Sequence, residues 1–184
     1  MDRHGDWMQT FSGKQFWPLD PRASEVDIVD IAHSLSHQCR YGGHCDRFYS
    51  VAEHSVYVSR MVPPEHALTA LLHDATEAYC VDVPRPIKRF LTNYQEIEMH
   101  IWFAIAEKFG LPRIIPEAVH AADNAVLLAE MTQIMKAPPA EWKVQGTPAR
   151  VEIKCLSPNE AKARFMGEYF KIGQNQGFIM GGPA

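Results

Sequence analysis

Two ionisable residues stand side by side inside an apolar stretch, Leu71-Leu72-His73-Asp74-Ala75. A buried imidazole and carboxylate are costly unless they are paired or bound to a metal. The dipeptide alone reads equally well as a surface pair, because neighbouring helical residues diverge by about a third of a turn. Three more residues extend the pattern. Glu77 follows His73 by four positions, which puts both on one face of a continuous helix. His54 lies early in the preceding helical segment, and Asp123 is a carboxylate inside the apolar run Val119–Ala125. Two imidazoles and two carboxylates from three helices form an N/O set suited to one divalent first-row metal, with positions left for water and substrate. The alternative for the same four residues is a buried salt-bridge cluster without metal. The donor set suits manganese, iron, cobalt, nickel or zinc alike.

The elements that must position these residues are mainly helical. Apolar residues recur at helical spacing from Glu25 to Leu35. Ser50-Val51-Ala52-Glu53 is a capping-box pattern and predicts a helix from Val51 to about Met61. Pro63-Pro64 ends it, and a helix over 65–79 carries the His73-Asp74 pair. Pro84 and Pro86 predict a rigid loop. Tyr94–Phe109 reads as a helix closed by Gly110, and Pro116 opens one that runs to about Met135. Residues 39–48 and 137–149 read as loops. A short strand is expected around Gln9–Phe16, and Val151-Glu152-Ile153 reads as a strand that could pair with it. A second capping box, Ser157-Pro158-Asn159-Glu160, starts a last helix to about Phe170. The reading is one all-α domain over 1–184, with a core over about 25–136. A loop and helix occupy 137–172, a frayed tail 173–184, and a peripheral strand pair lies near the termini.

Composition narrows the function classes. The chain has 184 residues, 46% apolar and 22% charged, ordinary for a globular protein with a sizeable core. Net charge is −4, which argues against a nucleic-acid coat or a polybasic membrane binder. No apolar run approaches the roughly 18 residues a membrane span needs. The N-terminus has no apolar signal region, so a cytoplasmic protein is expected. Cys39, Cys45, Cys80 and Cys155 form no CxxC pair and read as reduced thiols.

The order His…His-Asp…Asp, with the string Leu72-His73-Asp74-Ala75-Thr76-Glu77-Ala78 and then Asp82-Val83-Pro84-Arg85-Pro86-Ile87-Lys88, resembles the HD-domain phosphohydrolases. It is similar to the bacterial 5′-deoxynucleotidases of the YfbR type. Ser50–Ser55 resembles that family's first-histidine motif and Ala122–Ala125 its last-aspartate motif. Thr10–Lys14 and Cys39–His44 bring the chain closer to a prophage-encoded, YfdR-like branch. The resemblance spans roughly residues 9–135. It implies a helical HD-domain bundle, self-association into a homo-oligomer and a role in nucleotide metabolism. The enterobacterial deoxynucleotidases carry Arg-Trp before the first histidine where this chain has Arg40-Tyr41, so base and sugar preference stay open.

The resemblance implies that His54, His73, Asp74 and Asp123 hold the metal. Glu77 is the candidate acid/base residue, against a purely supporting partner of His73. Asp82 would orient water or a sugar hydroxyl. Arg40 and Lys88 would clamp phosphate, the first as a bidentate fork and the second as a compact charge, where solvated surface cations are the plain alternative. Tyr41 would stack on a nucleobase or serve as a core tyrosine. Arg85 and Arg89 lie nearby without an assigned role. His44 could touch phosphate or ligate; His33, His37 and His120 read as structural.

The expected activity is hydrolysis of a deoxyribonucleoside 5′-monophosphate to deoxynucleoside and phosphate. The alternatives are a dNTP triphosphohydrolase that releases triphosphate and, from another class, a non-catalytic nucleotide sensor. Cyclic-nucleotide or alarmone hydrolysis fits the Asp82–Lys88 string less well.

Overall fold

The structure is a computed structural model that describes residues 3–176. Among these the chain is mostly helical, with eight α-helices and one two-stranded antiparallel sheet. No described helix is long and apolar enough to cross a membrane. Of the tail expected to fray, residues 173–176 continue the last helix, and 177–184 lie outside the described residues.

The strand pair is an N-terminal hairpin. Strands β1 (Met8–Gln9) and β2 (Gln15–Phe16) pair in the register Met8↔Phe16 and Gln9↔Gln15. Gly13 turns the chain at φ 82, a left-handed conformation that suits glycine. Ser12 fastens the turn to the first helix, its N–H donating to Asp30 Oδ1 at 2.6 Å. The expected strand at Val151–Ile153 does not form. Side chains take the backbone groups that a sheet would need. Gln133 donates to the Val151 carbonyl at 2.8 Å and accepts from Ile153 N–H at 3.0 Å. Beyond it, the Glu53 carboxylate accepts the N–H groups of Lys154, Cys155 and Leu156 at 3.0, 3.1 and 2.7 Å.

Helix α1 (Ile28–His37) begins where Asp27 accepts the Val29 N–H at 2.8 Å. Helix α2 (Val51–Ser59) is buried all round and lies against α1, α3, α7 and α8. Ser50 caps it, accepting the Glu53 N–H at 3.1 Å. The predicted return bond of that capping box is absent, because the Glu53 carboxylate is committed to residues 154–156. A helix buried on every face must satisfy its polar side chains from neighbouring elements. Glu53 and His54 are both 0% exposed.

The helix expected over 65–79 is interrupted. Helix α3 (Ala67–Leu71) and helix α4 (Glu77–Cys80) are joined by a turn that contains His73 and Asp74. The cause is local: His73 Nδ1 donates to the Ala70 carbonyl at 2.8 Å, the carbonyl that the Asp74 N–H would take in an unbroken helix. His73 and Glu77 therefore do not share a helix face as the sequence spacing suggested. Val81 follows α4 at φ 68, a conformation strained for a β-branched residue. The Pro84/Pro86 segment folds into a single turn, α5 (Arg85–Lys88).

Helices α6 (Tyr94–Phe109) and α7 (Glu117–Ile134) match the sequence pattern closely. Gly110 closes α6 at φ 65, and Pro116 precedes α7. Helix α8 (Pro158–Gln176) starts at a complete capping box: Ser157 N–H donates to Glu160 Oε2 at 3.0 Å and Glu160 N–H returns to Ser157 Oγ at 3.5 Å. It packs on α1, α2 and α3 and contributes Ala161, Phe165 and Ile172 to the main core. The main hydrophobic cluster thus includes residues of this last helix.

Candidate metal centre

Three elements converge on one point. The buried helix α2 supplies His54, the α3–α4 turn supplies His73, and α7 supplies Asp123. One ligand atom from each lies within 4.8 Å of the others, a spacing that could hold a metal ion. His54 Nε2 is 3.1 Å from Asp123 Oδ1, and the two imidazole rings are 5.4 Å apart between centroids.

The hydrogen bonds on the far side of each ring set the tautomers. The Ala70 carbonyl can only accept, so His73 Nδ1 carries a proton. His54 Nδ1 lies 2.6 Å from Glu130 Oε1, and an ionised carboxylate likewise fixes it as the donor. In the neutral rings both Nε2 lone pairs point at this centre. In the metal-free protein burial and Arg40 oppose a charge on His54, but Glu130 and Asp123 prevail and raise its pKa to about 9. A metal would therefore displace its Nε2 proton. Both Nε2 atoms are buried and have no hydrogen-bond partner. Native interiors rarely strand two such atoms side by side, and the groups facing them are carboxylate oxygens, Asp123 Oδ1 3.1 Å from His54 and Asp74 Oδ2 3.3 Å from His73. A cation between the two Nε2 atoms and Asp123 removes both deficits, with the Glu130 carboxylate and the Ala70 carbonyl orienting the rings behind it. The residues present fit a divalent metal.

Asp74, the fourth expected ligand, stands beside this group. Its Oδ2 is 3.3 Å from His73 Nε2, 3.7 Å from His54 Nε2 and 3.4 Å from Arg40 Nη1. The turn that breaks the 65–79 helix brings it there. Asp123 also meets Arg85, whose Nη2 is 3.2 Å from Oδ2. Burial opposes ionisation of Asp123, but His54 outweighs it and holds the carboxyl well below the usual range.

Glu130 is a residue of this candidate centre that the sequence reading missed. It is 0% exposed and gathers four groups. Its Oε1 accepts from His54 Nδ1 and from Tyr49 OH at 2.8 Å, while Oε2 accepts from Tyr41 OH and lies 3.4 Å from Arg40 Nε. Burial disfavours its charge, but Arg40 and His54 prevail and bring its pKa down to about 2. The signal was present: Glu130 follows Asp123 by seven residues, two turns along the same face of α7.

The other candidates surround a cavity of about 1010 Å³ that adjoins the metal group. Arg40, Tyr41, His44, Asp82 and Lys88 line it with His73, Asp74, Glu77 and Asp123. Arg40 is 8% exposed, so it is no solvated surface cation. Lys88 is not free: its Nζ is 2.6 Å from Glu98 Oε1. Burial, with Asp74 and Asp82 adding to it, pushes the Glu77 carboxyl well above the usual range. Burial also raises Asp82. Tyr41 adopts φ 58, and its hydroxyl is tied to Glu130, so the ring is rigidly coupled to the His54 support. His44 stays outside the ligand group. His120, read as structural, is exposed and lines the cavity. His33 and His37 are packed in a stack with Phe11. All four cysteines are free thiols.

No protein-family model matches the chain. It is 32% identical over 183 residues to an uncharacterized protein of Rhodobacter capsulatus, an alignment that covers 89% of this chain and 93% of that one. Over 171 residues it is 42% identical to the uncharacterized protein YfdR of Escherichia coli K12, which covers 91% of this chain and 96% of YfdR. With that identity sustained over nearly the whole of both proteins, the chain belongs to the YfdR family.

Proposed function

We propose that the protein is a metal-dependent phosphohydrolase of the HD type, acting on a nucleotide phosphate ester. The preferred substrate on this reading is a deoxyribonucleoside 5′-monophosphate. The observation that carries the proposal is the pair of buried, unpartnered imidazole Nε2 atoms facing Asp123 at the wall of a cavity that also holds acids and cations. His54, His73 and Asp123 would hold the ion, with Asp74 as the fourth ligand. A divalent ion there would acidify water and polarise a phosphoryl oxygen, the two demands of a slow ester hydrolysis.

The chain's own residues supply the remainder. Glu77, whose carboxyl burial and acidic neighbours push upward, would be suited to give a proton to the departing ester oxygen. Asp82 would orient the attacking water or a sugar hydroxyl. Arg40 presents a fixed guanidinium beside Asp74, where it can neutralise phosphate charge. Lys88 would assist once phosphate competes with Glu98 for its ammonium.

The test is a panel of deoxyribonucleoside monophosphates and triphosphates incubated with the protein under manganese, cobalt, nickel, zinc or iron(II), with products separated by chromatography. Orthophosphate and deoxynucleoside from a monophosphate are expected. Triphosphate released from dATP instead would move the assignment to a triphosphohydrolase. Silence across the whole panel removes the proposal.

A further inference from the structure

The cavity wall carries aromatic surface that the metal chemistry leaves unused. Tyr41 and Trp142 both line it, with ring centroids 6.1 Å apart and planes tilted by 53°. Neither ring is packed into the hydrophobic core, whereas Trp102, on the same cavity, is. Trp142 sits in the irregular 137–149 segment. Two backbone bonds shape that segment: Val144 N–H donates to the Trp142 carbonyl at 2.8 Å, and Ala149 N–H donates to the Ala125 carbonyl at 2.8 Å. The second anchors the segment on α7 only two residues after Asp123.

The two rings are not equally available. The Arg40 guanidinium lies 5.4 Å from the centre of the Tyr41 ring, so one face of Tyr41 is already occupied by a cation. Its hydroxyl is committed to Glu130. Among the described residues no cation lies over Trp142. This half-buried indole stands on an irregular segment of the cavity wall, outside the hydrophobic clusters, so core packing does not account for it. Its indole, tilted against Tyr41 on the cavity wall, offers a π-surface suited to a planar ring of the ligand.

We infer that Trp142, rather than Tyr41, is the specificity-determining aromatic residue of the cavity, and that it stacks on a planar heteroaromatic ring carried by the ligand. The inference rests on the phosphate-ester reading above and names the part of the ligand recognised away from phosphorus. Tyr41 then serves mainly to hold Glu130 and Arg40 in place.

The test uses the full chain with Mn²⁺, and adenosine, guanosine, cytidine, thymidine and inorganic phosphate as probes. Binding is read by calorimetry and by indole emission in the wild type, Trp142→Ala and Trp142→Phe, each checked for an unchanged melting temperature. At least one nucleoside should quench wild-type emission, and the quenching should fall in both variants to what Trp102, on the same cavity, contributes. Trp142→Ala should weaken that nucleoside by roughly tenfold, Trp142→Phe should recover most of the affinity, and phosphate should bind all three alike. With a monophosphate that is turned over, the loss in kcat/KM should be carried by KM. No nucleoside bound by the wild type, an unchanged affinity in Trp142→Ala, or an equal loss for phosphate would each overturn the inference. Trp142-dependent nucleoside binding without any phosphate release would retire the hydrolase reading and leave this one standing. Turnover with an unchanged KM in Trp142→Ala would do the reverse.

Discussion

Replacing Glu130 by Gln tests the centre without touching a ligand. The carboxylate is fully buried and accepts from His54 Nδ1, Tyr49 OH and Tyr41 OH while facing Arg40 Nε. A carboxamide of the same shape has one acceptor oxygen. Whichever way it turns, its NH₂ meets two groups that were donating. His54 loses the negative charge that fixes its tautomer and raises its basicity. Loss of such outer support costs about 10- to 100-fold in metal affinity. That is about 1.4 to 2.8 kcal/mol at 1.4 kcal/mol per tenfold. Arg40 keeps Asp74 at 3.4 Å but loses its buried partner, which should also lower the stability of the metal-free fold by about 1 to 3 kcal/mol. The assay is equilibrium competition between the folded protein and a chelator for Mn²⁺ or Zn²⁺, with circular dichroism confirming the fold. Tyr49→Phe is the control, since it removes one donor to the same carboxylate and keeps its charge; it should lose about 1 kcal/mol of stability and hold metal nearly as the wild type does. A folded Glu130→Gln protein with wild-type metal affinity would refute the reasoning, because the His54 tautomer would then not depend on Glu130.

Further expectations follow from the same geometry. His73→Ala and Asp123→Ala should each purify without metal by elemental analysis, and full occupancy in both would dismiss the ligand group. Glu77→Gln should lower turnover by roughly 10²- to 10⁴-fold while nucleotide binding by calorimetry persists, since the amide keeps the shape but has no proton to give. The Glu130 carboxyl titrates at about 2 when folded, against an ordinary 4.5, so the stabilisation it brings is complete above about pH 4.5 and is lost as pH falls toward 2. Urea midpoints of the metal-free wild type and Glu130→Gln should therefore converge over that window; a constant gap would count against the assignment. Glu53→Ala strands the N–H groups of Lys154, Cys155 and Leu156 and should cost about 3 kcal/mol in chemical denaturation, with loss of order in 151–157 read by hydrogen exchange.

Much of the architecture can be read from local patterns. The helix caps at Ser50 and Ser157, the stop at Gly110 and the start at Pro116 are short-range signals, written in residues that touch their own neighbours. His54, His73 and Asp123 stand out in sequence because ionisable groups interrupt apolar helices, and the fold brings those three to one point. What sequence could not decide depended on competition between backbone and distant side chains. Residues 151–153 have strand composition, but Gln133 and Glu53 claim the backbone of residues 151–156 from other helices. The 65–79 stretch has helical composition, but the His73 imidazole takes the Ala70 carbonyl, and the break swings Asp74 toward Arg40. Glu130 and Trp142 have no motif of their own. Their proposed roles arise once α7 lies against α2 and the 137–149 segment contributes Trp142 to the cavity wall, because a buried carboxylate or a half-buried indole takes its role from what surrounds it.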